Sequence, residues 1–142
     1  MSKDDSQFCG CLYFSANALG RALTKMAEEE FSITGLSPSY AFVLRAVNLK
    51  PGIQPKDLSR EMMLTPSTIT RFVDKLVLRG FLTRQAEGRT SLIHPTQKSL
   101  DLAETIQVAW SNLHKRYSAL IGEELADELT AQTYQASRSL EN

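Results

Sequence analysis

The stretch LTPSTITRFVDKLVLRGFLTR, Leu64 to Arg84, holds the signals for one helix and the start of a strand. Thr65 stands as an N-cap and Pro66 at the first helical position, where a missing N–H is no loss and a fixed φ suits the helix. Gly80 is placed to end the helix in a left-handed turn. Between them Ile69, Phe72, Val73, Leu76 and Gly80 fall on one face. Ser67, Arg71, Asp74, Lys75 and Leu78 fall on the other, with Thr68 and Thr70 at the flanks. Such a helix must bury its apolar back and present its hydroxyl-and-cation front.

The segments around it say what the front meets. Upstream, PKDLSREM reads as a brief helix with Leu58 and Met62 facing inward, preceded by an extended bridge at Ile53-Gln54. Before that, Ser37-Pro38 repeats the cap-plus-proline signal and starts a helix through Val43 and Val47, which stops at Pro51-Gly52. Downstream, FLTR and TSLIH read as two short strands around the turn QAEGR. The order helix, helix, helix, hairpin is a helix-turn-helix with a β-wing.

The flanks have another character. Residues from about Phe8 to Phe31 read as a helix, with Leu12, Ser15, Leu19, Ala22 and Met26 on one stripe. Thr96 is placed to cap a long helix in which Ala103, Ile106, Trp110, Leu113, Tyr117 and Leu120 alternate steps of 3 and 4, the spacing of a coiled-coil seam. Gly122 interrupts it, and Leu125, Leu129, Thr133, Ala136 and Leu140 mark a last helix. One chain has little with which to cover these stripes, so a partner copy is expected, with Leu12, Leu19, Ile106, Trp110, Leu113 and Tyr117 at the contact. The expected fold is mainly α with a small β-wing. A terminal dimerisation helix spans 1–36, a winged helix-turn-helix core 37–95 and further dimerisation helices 96–142.

Length and composition agree with a globular protein of 142 residues. No apolar run is long enough for a membrane span, and MSKDDSQF lacks the apolar region of a signal peptide, so a cytoplasmic location is expected. The net charge is zero, but it is unevenly placed. From Arg45 to Lys98 ten basic residues face four acids, a net +6, which the flanks balance with −6. A basic middle third suits a polyanion; solvated Lys/Arg-rich faces are the plainer explanation.

On a major-groove helix, Ser67, Thr68, Thr70 and Arg71 would reach bases and phosphates, with Lys75 further back on phosphate. Small hydroxyls allow close approach, and the guanidinium of Arg71 suits a bidentate contact to guanine. The wing would set Arg84 or Arg89 beside the minor groove; either could instead steady the turn, Arg89 with Glu87. A nucleophile beside a base, a metal cluster and a phosphate-binding glycine loop are all missing from the sequence, so neither an enzyme nor a cofactor is expected. The competing class is a winged helix used for protein–protein contact.

These residues resemble the MarR family of transcriptional regulators. LSPSY resembles the family's start to the second helix, and QPKDLS its Q-x-x-[DE]-L-[AS] helix. STITRFVDKLVLRGFL resembles its S-T-[VI]-T-R-x-[VL]-[DK]-x-L-x-x-x-G-[LF] recognition helix, and EGRTSLIHPTQKS occupies the register of its wing and following helix. Glu87, Pro95 and Ser99 stand where that pattern has Asp, Leu and Gly. The resemblance implies a homodimer on a palindromic double-stranded operator, acting as a repressor released by a small aromatic ligand or an oxidant. CGCLYFSANALGRALTK further resembles the first helix of the organic-peroxide-sensing branch, which implies Cys9 as a sensing thiol with Tyr13 one turn away. Cys11 is the second thiol; two cysteines this close on a helix point to opposite sides and do not form a disulfide framework. A small hydrophobe near a dimer seam is the plainer role for either cysteine.

Overall fold

Ser37 and Thr65 both become N-caps. Each has an extended backbone, each side chain accepts the N–H three residues on (Tyr40 and Thr68), and each is followed by proline at the first turn. In the computed structural model, which describes residues 4–141, the helices are α1 (Leu12–Phe31), α2 (Pro38–Leu49), α3 (Pro55–Met62), α4 (Pro66–Leu78), α5 (Gln97–Asp101), α6 (Ala103–Ile121) and α7 (Glu123–Leu140). A 3-10 turn, Ser32–Thr34, follows α1, and Gly35 ends it at φ +72°. Two strands, β1 (Leu82–Glu87) and β2 (Thr90–Pro95), pair antiparallel. The fold is mainly α with a small β-wing, as the sequence pattern predicts.

The chain divides into two compact units, Glu30–Trp110 and a second made of residues 4–29 with 111–141. The first holds most of the core. Phe31, Val43, Leu44, Val47, Leu58, Ile69, Val73, Leu76, Leu82, Ile93 and Ile106 are all nearly or wholly buried. Helices α2, α3 and α4 therefore meet through the apolar faces their periodicity marks. In the second unit Ala126 is the one buried apolar residue among those described, while Leu12, Leu120 and Leu140 are each more than 70 % exposed.

Four local expectations change. Helix α1 starts at Leu12, not near Phe8. Around Gly10 the chain makes i→i−3 turns, Cys9 N–H to Ser6 O and Cys11 N–H to Phe8 O, and the first i→i−4 bond is Ser15 N–H to Cys11 O. The wing is longer than FLTR and TSLIH suggest: Gln85, Ala86 and Glu87 pair with Leu92, Ser91 and Thr90. Gly88 reaches φ +61° in a two-residue turn, so pairing continues to the tip. The long helix after the wing is broken at Leu102, whose N–H turns back to Ser99 O. Finally, Thr96 occupies the cap position of α5 without capping it: its hydroxyl donates to Gly80 O at 2.6 Å and also contacts Phe81 O at 3.0 Å.

Candidate nucleic-acid interface

Helix α4 is fixed from behind. Ile69, Val73 and Leu76 are at most 1 % exposed, and the Phe72 ring packs edge-on to Tyr40 of α2 with centroids 4.9 Å apart. The turn before it, Met63 to Thr65, is tied to α3 by Leu64 N–H to Ser59 O and by the Ser59 hydroxyl to Leu64 O. The turn after it is held by Lys98, whose Nζ donates to Arg79 O at 2.8 Å and sits 4.3 Å from the Phe81 ring centroid. A cation on the last carbonyls satisfies acceptors that a helix end leaves open and complements its dipole. With both ends and the back held, the outward face of α4 is presented as a rigid unit.

That face carries the expected residues. Ser67, Thr70, Arg71, Asp74 and Lys75 are exposed, and Thr68 is half-buried. The hydroxyls are partly engaged with one another: Thr65 Oγ1 lies 2.9 Å from Thr68 Oγ1 and 3.3 Å from Ser67 Oγ. Thr70 donates to Pro66 O at 3.0 Å. Arg71 Nη2 reaches Thr68 Oγ1 at 3.4 Å, a long bond that leaves most of the guanidinium's donors available.

The wing sits on the same unit. Gly52 N–H donates to Ile93 O at 2.8 Å and Ile53 bridges Ile93, so the loop after α2 adds a one-residue antiparallel bridge at the wing's base. Leu82 and Ile93 are buried there, whereas every residue from Thr83 to Thr90 is exposed. Arg89 stands at the tip and makes no ion pair among the described residues. Arg84 is placed differently: its Nη2 lies 2.6 Å from Asp74 Oδ1 of α4, so its guanidinium is engaged on the helix.

The other expected sites lie elsewhere. Cys9 and Cys11 are exposed and precede α1, so the one-turn spacing expected between Cys9 and Tyr13 is not set by a helix; Tyr13 lies in the first turn, 79 % exposed. Of the expected dimer residues, Leu12 is largely exposed, Leu19 more than one-third exposed, and Leu113 and Tyr117 half-buried. Ile106 is 1 % exposed in the single chain. Trp110 is 41 % exposed, edge-on to Phe42 with centroids 6.0 Å apart and 4.6 Å from the Arg45 guanidinium, which also donates to Gln107 at 2.8 Å. Sequence reasoning missed the bond of Lys98 to Arg79 O, that of Thr96 to Gly80 O, and the Asn48–Ser99 pair that joins α2 to α5 at 2.7 and 3.1 Å. Their signals are contacts 15 to 51 residues apart in the chain. Among the described residues no cluster could hold a metal ion, and no helix is long and apolar enough to cross a membrane.

The MarR family model matches residues 34–90, the segment that contains α2, α3, α4 and most of the wing. No curated protein sequence matches the chain significantly. Many solved structures share its fold. The transcriptional repressor CouR bound to a 23-mer DNA duplex superposes with a TM-score of 0.83 at 16% identity, covering 96% of this chain and 99% of that one. CouR from Rhodococcus jostii RHA1 bound to p-coumaroyl-CoA gives 0.73 at 24% identity, covering 95% of each. The Staphylococcus aureus MepR–DNA complex gives 0.77 at 13% identity, covering 90% and 97%. At these identities the likeness to the solved structures is one of fold. The winged core of the chain, residues 34–90, thus matches the MarR family, and the chain as a whole shares the fold of these solved structures.

Proposed function

We propose that the chain is a sequence-specific repressor that binds a palindromic double-stranded operator as a homodimer in the cytoplasm. The observation that carries this reading is the outward face of α4: hydroxyls and two cations on a helix braced from behind and at both ends. In the major groove, its first turn offers N–H groups and Ser67 to phosphate, Arg71 reaches a base edge, and Lys75 lies on phosphate. Arg89 at the wing tip enters the adjacent minor groove. The apolar surface left open on α1, α6 and α7 supports the dimer, since exposed leucines on three helices need a partner to cover them. Selection from a random duplex pool, followed by a salt-titrated gel shift, tests the reading. A two-fold-symmetric site bound less tightly as salt rises is expected. Equal binding to every duplex, or none, overturns it in favour of a protein-contact winged helix.

The proposed repressor is released by an effector. A cavity of about 290 Å³ within the core unit supports a small aromatic ligand: Phe42, Leu49, Met62 and Trp110 give it apolar walls, and Arg45 and Glu61 give it charge. CouR in complex with p-coumaroyl-CoA offers a precedent within this fold. Trp110 is the single tryptophan of the chain, so occupancy is expected to change the intrinsic fluorescence; no change across a panel of aromatic acids at millimolar concentration overturns that assignment. The exposure of both thiols supports an oxidant as the second effector reading. Operator release by organic hydroperoxide in wild type and Cys11→Ser but not in Cys9→Ser is its expected outcome.

A further inference from the structure

A two-stranded hairpin is marginal by itself. Here its base is secured by Leu82, Ile93 and the bridge to Ile53, but from Thr83 to Thr90 no residue is buried. Within that span Arg84 alone makes a side-chain hydrogen bond or ion pair among the described residues, and its partner is Asp74 on the outward face of α4. An acid on a face that meets DNA phosphates is unfavourable unless a cation neutralises it. Arg84 supplies that cation from the wing.

We infer that Arg84 is a positioning residue: with Asp74 it locks the wing to α4 and so sets where Arg89 stands relative to the groove read by Arg71. For its consequence on DNA the inference rests on the operator-binding reading. The geometry is suited to this task. The contact is 2.6 Å and the Arg84 side chain is one-third exposed, so it is less screened than a fully solvated pair. It joins the two elements that must engage adjacent grooves together. An exposed pair holds up to about 1 kcal/mol, equivalent to about a fivefold change in a local opening equilibrium.

The test uses two readouts on the full chain. In the free protein, hydrogen exchange of the wing amides is followed in Asp74→Asn, Arg84→Gln, the double variant and the reversed pair Asp74→Arg/Arg84→Asp. Each single variant is expected to speed exchange at the wing tip about three- to fivefold, the double variant to do no more, and the reversed pair to restore protection. On the selected operator, Asp74→Asn and Arg84→Gln are expected to reduce the salt dependence equally, and Arg89→Ala to cost less in either background than in the wild type. Unchanged exchange in both single variants overturns the inference, because the wing is then held without the pair. A salt dependence lowered by Arg84→Gln but not by Asp74→Asn also overturns it, since Arg84 is then a direct phosphate contact. The exchange readout needs no DNA, so it decides the role of the pair even if the operator reading fails.

Discussion

Arg71 and Lys75 lie one turn apart on the same face of α4, but their surroundings give them different work. Arg71 is steered by Thr68, 3.4 Å away, toward the first turn of the helix, the end that enters a groove most deeply. Lys75 has a flexible stem and a compact charge that suits phosphate. Arg71→Ala is expected to cost about 1–3 kcal/mol on the operator and to relax discrimination at one position in each half-site. Lys75→Ala is expected to weaken all sequences alike and to lower the slope of log affinity against log salt. Competition titrations against single-base operator variants distinguish the two; equal losses on every variant would reduce Arg71 to a phosphate contact.

At the scale of elements, the turns that fix α4 and the wing hold residues at positive φ, Met63 and Gly52 among them. Met63 closes α3 at φ +54°, ψ +40°, the only non-glycine residue with positive φ among those described. An L-residue in that region costs about 1–2 kcal/mol, and a β-branched one is worse placed still. Met63→Gly relieves the strain while adding unfolded-state entropy, so stability is expected to rise by about 0–1 kcal/mol. Met63→Val is expected to lower it. Gly52 has φ +83°, and an added Cβ would meet the His94 ring at 3.3 Å. Gly52→Ala is expected to cost about 1–2 kcal/mol through its backbone conformation and to loosen the wing base through that contact. Urea melts of the three variants check the stabilities, and an unaltered midpoint for Gly52→Ala would contradict the second expectation.

At the scale of the molecule, a neutral chain carries its positive charge in the segment that holds α3, α4 and the wing, and its excess of acids in the terminal segments. Like-charged flanks are held away from a polyanion while the middle approaches it. The exposed leucines of α1 and α7 predict a dimer at micromolar concentration by sedimentation equilibrium. A monomer there would remove the two-fold axis, and with it the expectation of half-sites about 10–10.5 bp apart or a multiple of that spacing. Leu12→Glu is expected to weaken association with little loss of secondary structure, because Leu12 is 71 % exposed in the single chain. Unaltered association in Leu12→Glu would place the contact elsewhere on these helices.

Local chemistry sufficed for much of this. Ser37-Pro38 and Thr65-Pro66 start helices because a capping oxygen, a fixed φ and the next N–H groups all lie within four residues. The two faces of α4 follow from the 3.6-residue period alone, and its buried and exposed residues are the ones that period selects. Tertiary structure decided the rest. Arg84 lies ten residues from Asp74, Lys98 nineteen from Arg79, and Ser99 fifty-one from Asn48; only the folded chain brings them within bonding distance. Ile106 reads as part of a seam with Trp110, yet it is 1 % exposed in the single chain while Trp110 is 41 % exposed, because periodicity marks an apolar face without saying what covers it. The same limit applies to Thr96: the sequence marks a hydroxyl where a cap belongs, but Gly80 O and Phe81 O lie closer to hand, and the hydroxyl takes the acceptors that the fold offers.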